Sequence, residues 1–143
     1  MSQAIPAQQP ATSRRQSLEQ QRAAHAAKAI GEAKERPDSS EYRSLVEGLP
    51  AMILANGLGQ TCAYLLSRAE GSQQKVELLL YRHLERWVQG QIPQLQQGGL
   101  LAALTNADVG TYRRAQVEAL AYLQWLKRFA QAELPRGERQ RSF

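Results

Sequence analysis

The sequence predicts an all-α protein: a single compact bundle of about five helices with a central uncharged helix. Three observations predict it. Apolar residues recur at helical spacing along most of the chain, with no β-type alternation and no internal repeat. Hydrophobic residues make up 43% but aromatics only 6%, so the core is mostly Leu and Ala, as helical bundles often are. The run at residues 48–67, GLPAMILANGLGQTCAYLLS, carries no charge, while the chain on both sides is full of arginine, glutamate and glutamine. A segment apolar on most faces has to be wrapped by other elements. The chain has 143 residues, enough for one domain with its own core, and residues 1–143 are read as one.

Each element has a local reason. Residues 1–11 are rich in Gln, Ala and Pro and read as a flexible tail. A first helix is expected over 12–35, favoured by Ala23, Ala26, Ala27, Ala29 and Ala33 and stopped by Pro37. With only Leu18 and Ile30 beside its alanines, its apolar stripe is thin. Asp38, Ser39 and Ser40 offer an N-cap for a second helix over 40–68, with Glu41 in its first turn. Pro50 is expected to kink or split it. Tyr42, Leu45, Val46, Leu49 and Ile53 share one of its faces.

Gly71 and Ser72 make the next break. A third helix is expected over 72–89, with Val76, Leu79, Leu80, Leu84 and Trp87 inward. Residues 90–99 read as a loop and 100–104 as one short helical turn. Thr105 or Asn106 then caps a last long helix ending near Glu133, before Pro135 and Gly137. Residues 136–143 read as a mobile basic tail.

Catalytic and cofactor signatures are absent. There is no CxxC, HExxH, glycine-rich phosphate loop or GxSxG, so no cofactor, metal ligand or catalytic residue is assigned. Asp38 and Asp108 lie at helix starts, where capping explains them. His83 falls on the apolar side of the third helix and reads as a hydrogen-bonded core residue. A pair of His25 and His83 would suit ribonuclease acid–base chemistry only if the helices brought them together, and nothing in the sequence says they meet. Cys62 is the single cysteine. It forbids an intrachain disulfide, fits a reducing, cytoplasmic location and reads as a small buried hydrophobe. The N-terminus lacks the apolar stretch of a signal peptide. Asn56, Gly57, Gly59, Gln60 and Thr61 interrupt the uncharged run too often for a membrane span.

The charge pattern says more. Net charge is +5 and the sequence pI about 9.7, which favours an anionic partner. Arginine outnumbers lysine, and the guanidinium fork matches two phosphate oxygens. At 100° per residue, Tyr112, Ala115, Ala119, Tyr122, Leu126 and Phe129 share one face of the last helix. Arg113, Gln124, Lys127, Arg128 and Gln131 share the opposite face, with Arg114 at its edge and Glu118 and Glu133 away from it. Lys75, Arg82 and Arg86 make a second stripe on the third helix, from which Glu77 and Glu85 diverge. Such stripes are either solvated faces or surfaces that follow a nucleic-acid backbone. The basic face has no row of exposed aromatics, which favours backbone contact over base stacking.

Two blocks resemble a known family. Residues 41–69 place Tyr42 before Leu49-Pro50, then Asn56-Gly57-Leu58-Gly59-Gln60, then an apolar helix from Tyr64 to a basic Arg68. Residues 112–134 end in a Trp-Leu-Lys-Arg-apolar-Ala pattern. Both resemble the small helical subunit of type III-B (Cmr-type) CRISPR effector complexes, and with their spacing they cover most of the chain. The resemblance implies an all-helical, non-catalytic subunit that stacks in several copies beside the backbone subunits gripping the guide RNA. It implies a role in antiviral defence, lining the channel that receives target RNA, with cleavage left to the backbone subunits.

Under that reading the basic faces hold target phosphates while base pairing to the guide supplies sequence choice. A pure protein–protein scaffold is the rival. Asn56, Gly57, Gly59 and Gln60 read either as a helix-crossing point, with the two amides buried, or as a contact for the next subunit.

Overall fold

Ser17 starts the first helix with a reciprocal pair of bonds. Its hydroxyl accepts from Gln20 N (3.1 Å) and its own N–H donates to Gln20 Oε1 (2.9 Å), a capping box. The computed structural model describes residues 16–137. The expected tail at 1–11, the first residues of the expected 12–35 helix and most of the 136–143 tail therefore lie outside the described residues. Among the described residues there are six α-helices, one 3₁₀ turn and no strand.

Helix α1 spans Leu18–Lys34 and buries Ala26, Ala29, Ile30 and Ala33. Helix α2 spans Ser39–Asn56 and α3 spans Leu58–Ala69. The second predicted helix is thus two. The chain runs through Pro50 and breaks at Gly57, whose φ of 92° and ψ of 161° are open only to glycine. Proline costs one hydrogen bond, and the buried Val46, Leu49 and Ile53 on either side keep the helix going.

Helix α4 spans Val76–Gln91. It begins later than expected because Glu70 and Gly71, both at positive φ, and the turn after them take up the preceding residues. The 3₁₀ turn Pro93–Leu95 and helix α5, Leu100–Thr105, follow. Helix α6 spans Val109–Glu133. Its cap is Asp108, whose Oδ1 accepts from Thr111 N at 2.7 Å, and not Thr105 or Asn106, which close α5.

Helix α6 is the spine. It packs along α1 on one side and α2 on another, while α3 lies against α4. Fully enclosed Tyr42, Leu49, Ile53, Leu58, Leu65, Leu80, Leu84 and Leu123 form the centre of one core. The uncharged run supplies the second half of α2 and most of α3. Its inner side, including Cys62, is in that core, where burial pushes the thiol up to about 12. Its outer side faces solvent at Gly48, Ala51, Leu54, Ala55, Gln60 and Ala63, with Leu54 72% exposed. No helix among the described residues is long and apolar enough to cross a membrane.

Candidate nucleic-acid interface

The seven cations of the two predicted stripes differ in one respect: whether a carboxylate holds them. On α6, Arg113, Arg114 and Arg128 are exposed and Lys127 is half-buried. Arg82 and Arg86 on α4 and Lys75 at its N-cap are exposed. Among the described residues only Arg86 of these makes an ion pair, to Glu32 at 3.7 Å. The remaining ion pairs lie elsewhere, at helix seams and along the edges of α1 and α2.

The carboxylates of α6 explain why its outer face is positive. Glu118 turns to α1 and α4, accepting from Arg22 Nε (2.6 Å) and Nη2 (2.9 Å) and from Trp87 Nε1 (2.8 Å). Burial acts against its charge, but these bonds outweigh it and hold its carboxyl below the usual range. Glu133 pairs with Lys34 of α1 at 3.7 Å. Gln131, placed on the outer face from sequence, is half-buried and donates to Glu47 Oε2 at 3.2 Å. Arg43, only 9% exposed, donates to the carbonyls of Gln131 (3.4 Å) and Leu134 (3.0 Å) and so closes the end of the spine. The α4 stripe lies apart. Helix α1 reaches Glu118 and Glu133 with Arg22 and Lys34, and reaches His83 and Arg86 with Glu32, so it sits between the two stripes.

The histidines belong to that seam. His83 is fully buried, with Nδ1 2.7 Å from the Tyr42 hydroxyl and Nε2 2.6 Å from Glu32 Oε1. Burial pushes His83 below its ordinary value despite Glu32, and the bond from His83 holds the Glu32 carboxyl low. His25 Nδ1 lies 2.8 Å from the Tyr122 hydroxyl, and its ring packs against Trp87 at 5.2 Å; burial and then Arg86 push it down. Each imidazole is occupied by a tyrosine. No cluster of metal-ligating side chains occurs among the described residues.

At the Gly57 break, α6 caps α3. Leu58 N donates to Gln116 Oε1 at 2.9 Å and Gly59 N donates to the Tyr112 hydroxyl at 2.7 Å, satisfying two N–H groups of the first turn. A Cβ would stand 3.2 Å from that hydroxyl at Gly57 and 3.0 Å at Gly59. The glycines therefore lie where α6 approaches. Asn56, at the end of α2, and Gln60, in the first turn of α3, are exposed, so the two amides are not buried as the helix-crossing reading had them.

One surface feature was missed in the sequence. A cleft of about 480 Å³ opens between the start of α1, the end of α4 and α6, lined by Leu18, Gln91, Ile92 and Val117 with Arg113 and Arg114. Val117 is 62% exposed. The signal was available: a valine four residues after Arg113 stands on the polar face of its helix.

Comparison with known proteins bears on most of the chain. Residues 18–133 match the family described as "CRISPR-associated protein (Cas_Cmr5)". A curated relative from Thermus thermophilus, "CRISPR system Cmr subunit Cmr5", is 30% identical over 108 residues, covering 72% of this chain and 83% of the relative. The crystal structure of a CRISPR-associated Cmr5 family protein from the same organism superposes with a TM-score of 0.67 at 26% identity, covering 85% of this chain and all of that one.

Proposed function

Because the chain belongs to the Cmr5 family of CRISPR-associated proteins, the small subunit of type III-B Cmr complexes, we propose that it is a non-catalytic subunit of such a complex. It stacks, in copies of itself, beside the backbone subunits and helps hold target RNA by phosphate contacts in antiviral defence. One observation carries the RNA contact. Six of the seven striped cations make no ion pair among the described residues, while both α6 carboxylates are turned to α1 and paired there. Unpaired cations spaced along a rod suit a phosphate backbone and carry no sequence information. Arg86, tied to Glu32, is the weakest of the seven as a contact.

The scaffold reading has its own support in the uncharged outer side of α2 and α3, where exposed Leu54 and the small residues Gly48, Ala51 and Ala55 suit a protein neighbour. The two readings use different faces and coexist: α6 and α4 towards RNA, α2 and α3 towards protein. Salt dependence tests the first. Target-RNA affinity of the reconstituted complex should fall steeply with salt, and Arg113→Glu with Arg128→Glu should reduce the log–log slope by about 0.7 per lost contact. An unchanged slope and unchanged loading remove α6 as the contact.

A further inference from the structure

The cleft beside the basic face has a composition that phosphate gripping alone does not need. Ile92, 3% exposed, makes its floor, and Leu18 (41% exposed) and Val117 (62% exposed) make apolar walls open to solvent. Arg113 and Arg114 stand at its edge with no ion-pair partner among the described residues, and Gly110 adds no side chain at the entrance. Glu118 also lines the cleft, but its carboxylate is taken up by Arg22 and Trp87. Gln91, half-buried in the wall, makes no side-chain hydrogen bond among the described residues and offers both a donor and an acceptor. The cleft's volume of about 480 Å³ is in the range of small-molecule clefts, roughly 300–1,000 Å³.

We propose that this cleft seats one unpaired base of a single-stranded RNA. The ring lies on Ile92, Leu18 and Val117, its polar edge meets the Gln91 amide, and the flanking phosphates rest on Arg113 and Arg114. This rests on the reading that α6 faces RNA, and it adds that the strand does not merely slide along the helix but is anchored by a base. The recognition is apolar and amide-based rather than aromatic, so it tolerates several bases. Charge complementarity commits the occupant to a phosphate-bearing strand, since the two guanidiniums need anions as close to the apolar floor as a nucleotide places them.

The test uses the full-length chain carrying Val117→Cys. Cys62 is buried with its thiol pushed up to about 12, so the introduced thiol is the reactive one. The rate of maleimide modification is measured alone, with a 12-mer oligouridylate, and with an abasic ribose-phosphate 12-mer. Each oligomer is present at ten times its own dissociation constant from fluorescence anisotropy. Seated bases slow modification about tenfold, as simple occupancy requires, and the abasic strand leaves the rate within twofold. Equal protection by both strands overturns the base site in favour of backbone lying across the cleft. Binding of both strands without protection also overturns it, and leaves the phosphate reading standing. Failure of both strands to bind at low salt removes both readings. In a fourth measurement, protection by the other complex subunits without RNA makes the cleft a protein contact and overturns the proposal.

Discussion

His83 has one arrangement that satisfies all its polar atoms: Nε2–H donates to Glu32 and the Tyr42 hydroxyl donates to Nδ1. A second proton on Nδ1 would force the Tyr42 hydrogen to find another acceptor in a fully buried site. Burial holds folded His83 and His25 both below 6.5, while the unfolded chain titrates near it. The unfolded state then binds more protons below that value, so stability is fully present above pH 7 and falls as pH drops through 6.5. Melting temperature measured from pH 8 to 5 should be flat and then decline, and His83→Gln should shrink the decline. A curve without any loss between pH 7 and 5 contradicts the neutral pair. The enclosed, bonded character of His83 was legible from its place on an apolar face. Its partners were not, since Tyr42 and Glu32 lie 41 and 51 residues away.

The corner between α2 and α3 shows how elements were and were not legible. The sequence marks Pro50 as the place to kink or split the helix, but a helix flanked by buried side chains absorbs a proline, whereas a residue at φ 92° and ψ 161° ends it outright. Gly57→Ala is expected to cost about 1–3 kcal/mol, from backbone strain and crowding against Tyr112. Chemical denaturation measures it. Part of the loss should be relieved when Tyr112→Phe removes the hydroxyl, and equal costs in both backgrounds would show that crowding contributes nothing. Helical spacing was enough to place the last helix, the short α5 and the apolar stripes. Caps were less secure, because Thr105, Asn106 and Asp108 all read alike and only Asp108 reaches the free N–H of Thr111. The candidate cations were legible as stripes. Which of them stay free was not, because the contact that ties Arg86 to Glu32 is made between α4 and α1, 54 residues apart in the chain.

At the scale of the molecule, charge and its absence are segregated, with cations along α6 and α4 and an uncharged outer side on α2 and α3. Leu54→Glu tests that division. At 72% exposure it should change the stability of the free chain by no more than about 0.5 kcal/mol, yet lower incorporation into a reconstituted complex. Normal incorporation, read by co-purification, would take that surface out of the assembly. The spine also sets the order in which the molecule can be completed. Arg22 waits for Glu118 and His25 for Tyr122, 96 and 97 residues later, and the first turn of α3 waits for Tyr112 and Gln116. At about 5–20 residues per second, a ribosome makes α1 roughly 5–20 seconds before the helix that covers it. A chain interrupted before Val109 presents a bare alanine stripe and an open corner, and lacks the arginine face altogether. Translation thus delivers the α6 part of the adhesive surface and the seal of the core in the same stroke, so an unfinished copy has only the cations of α4 with which to hold a strand.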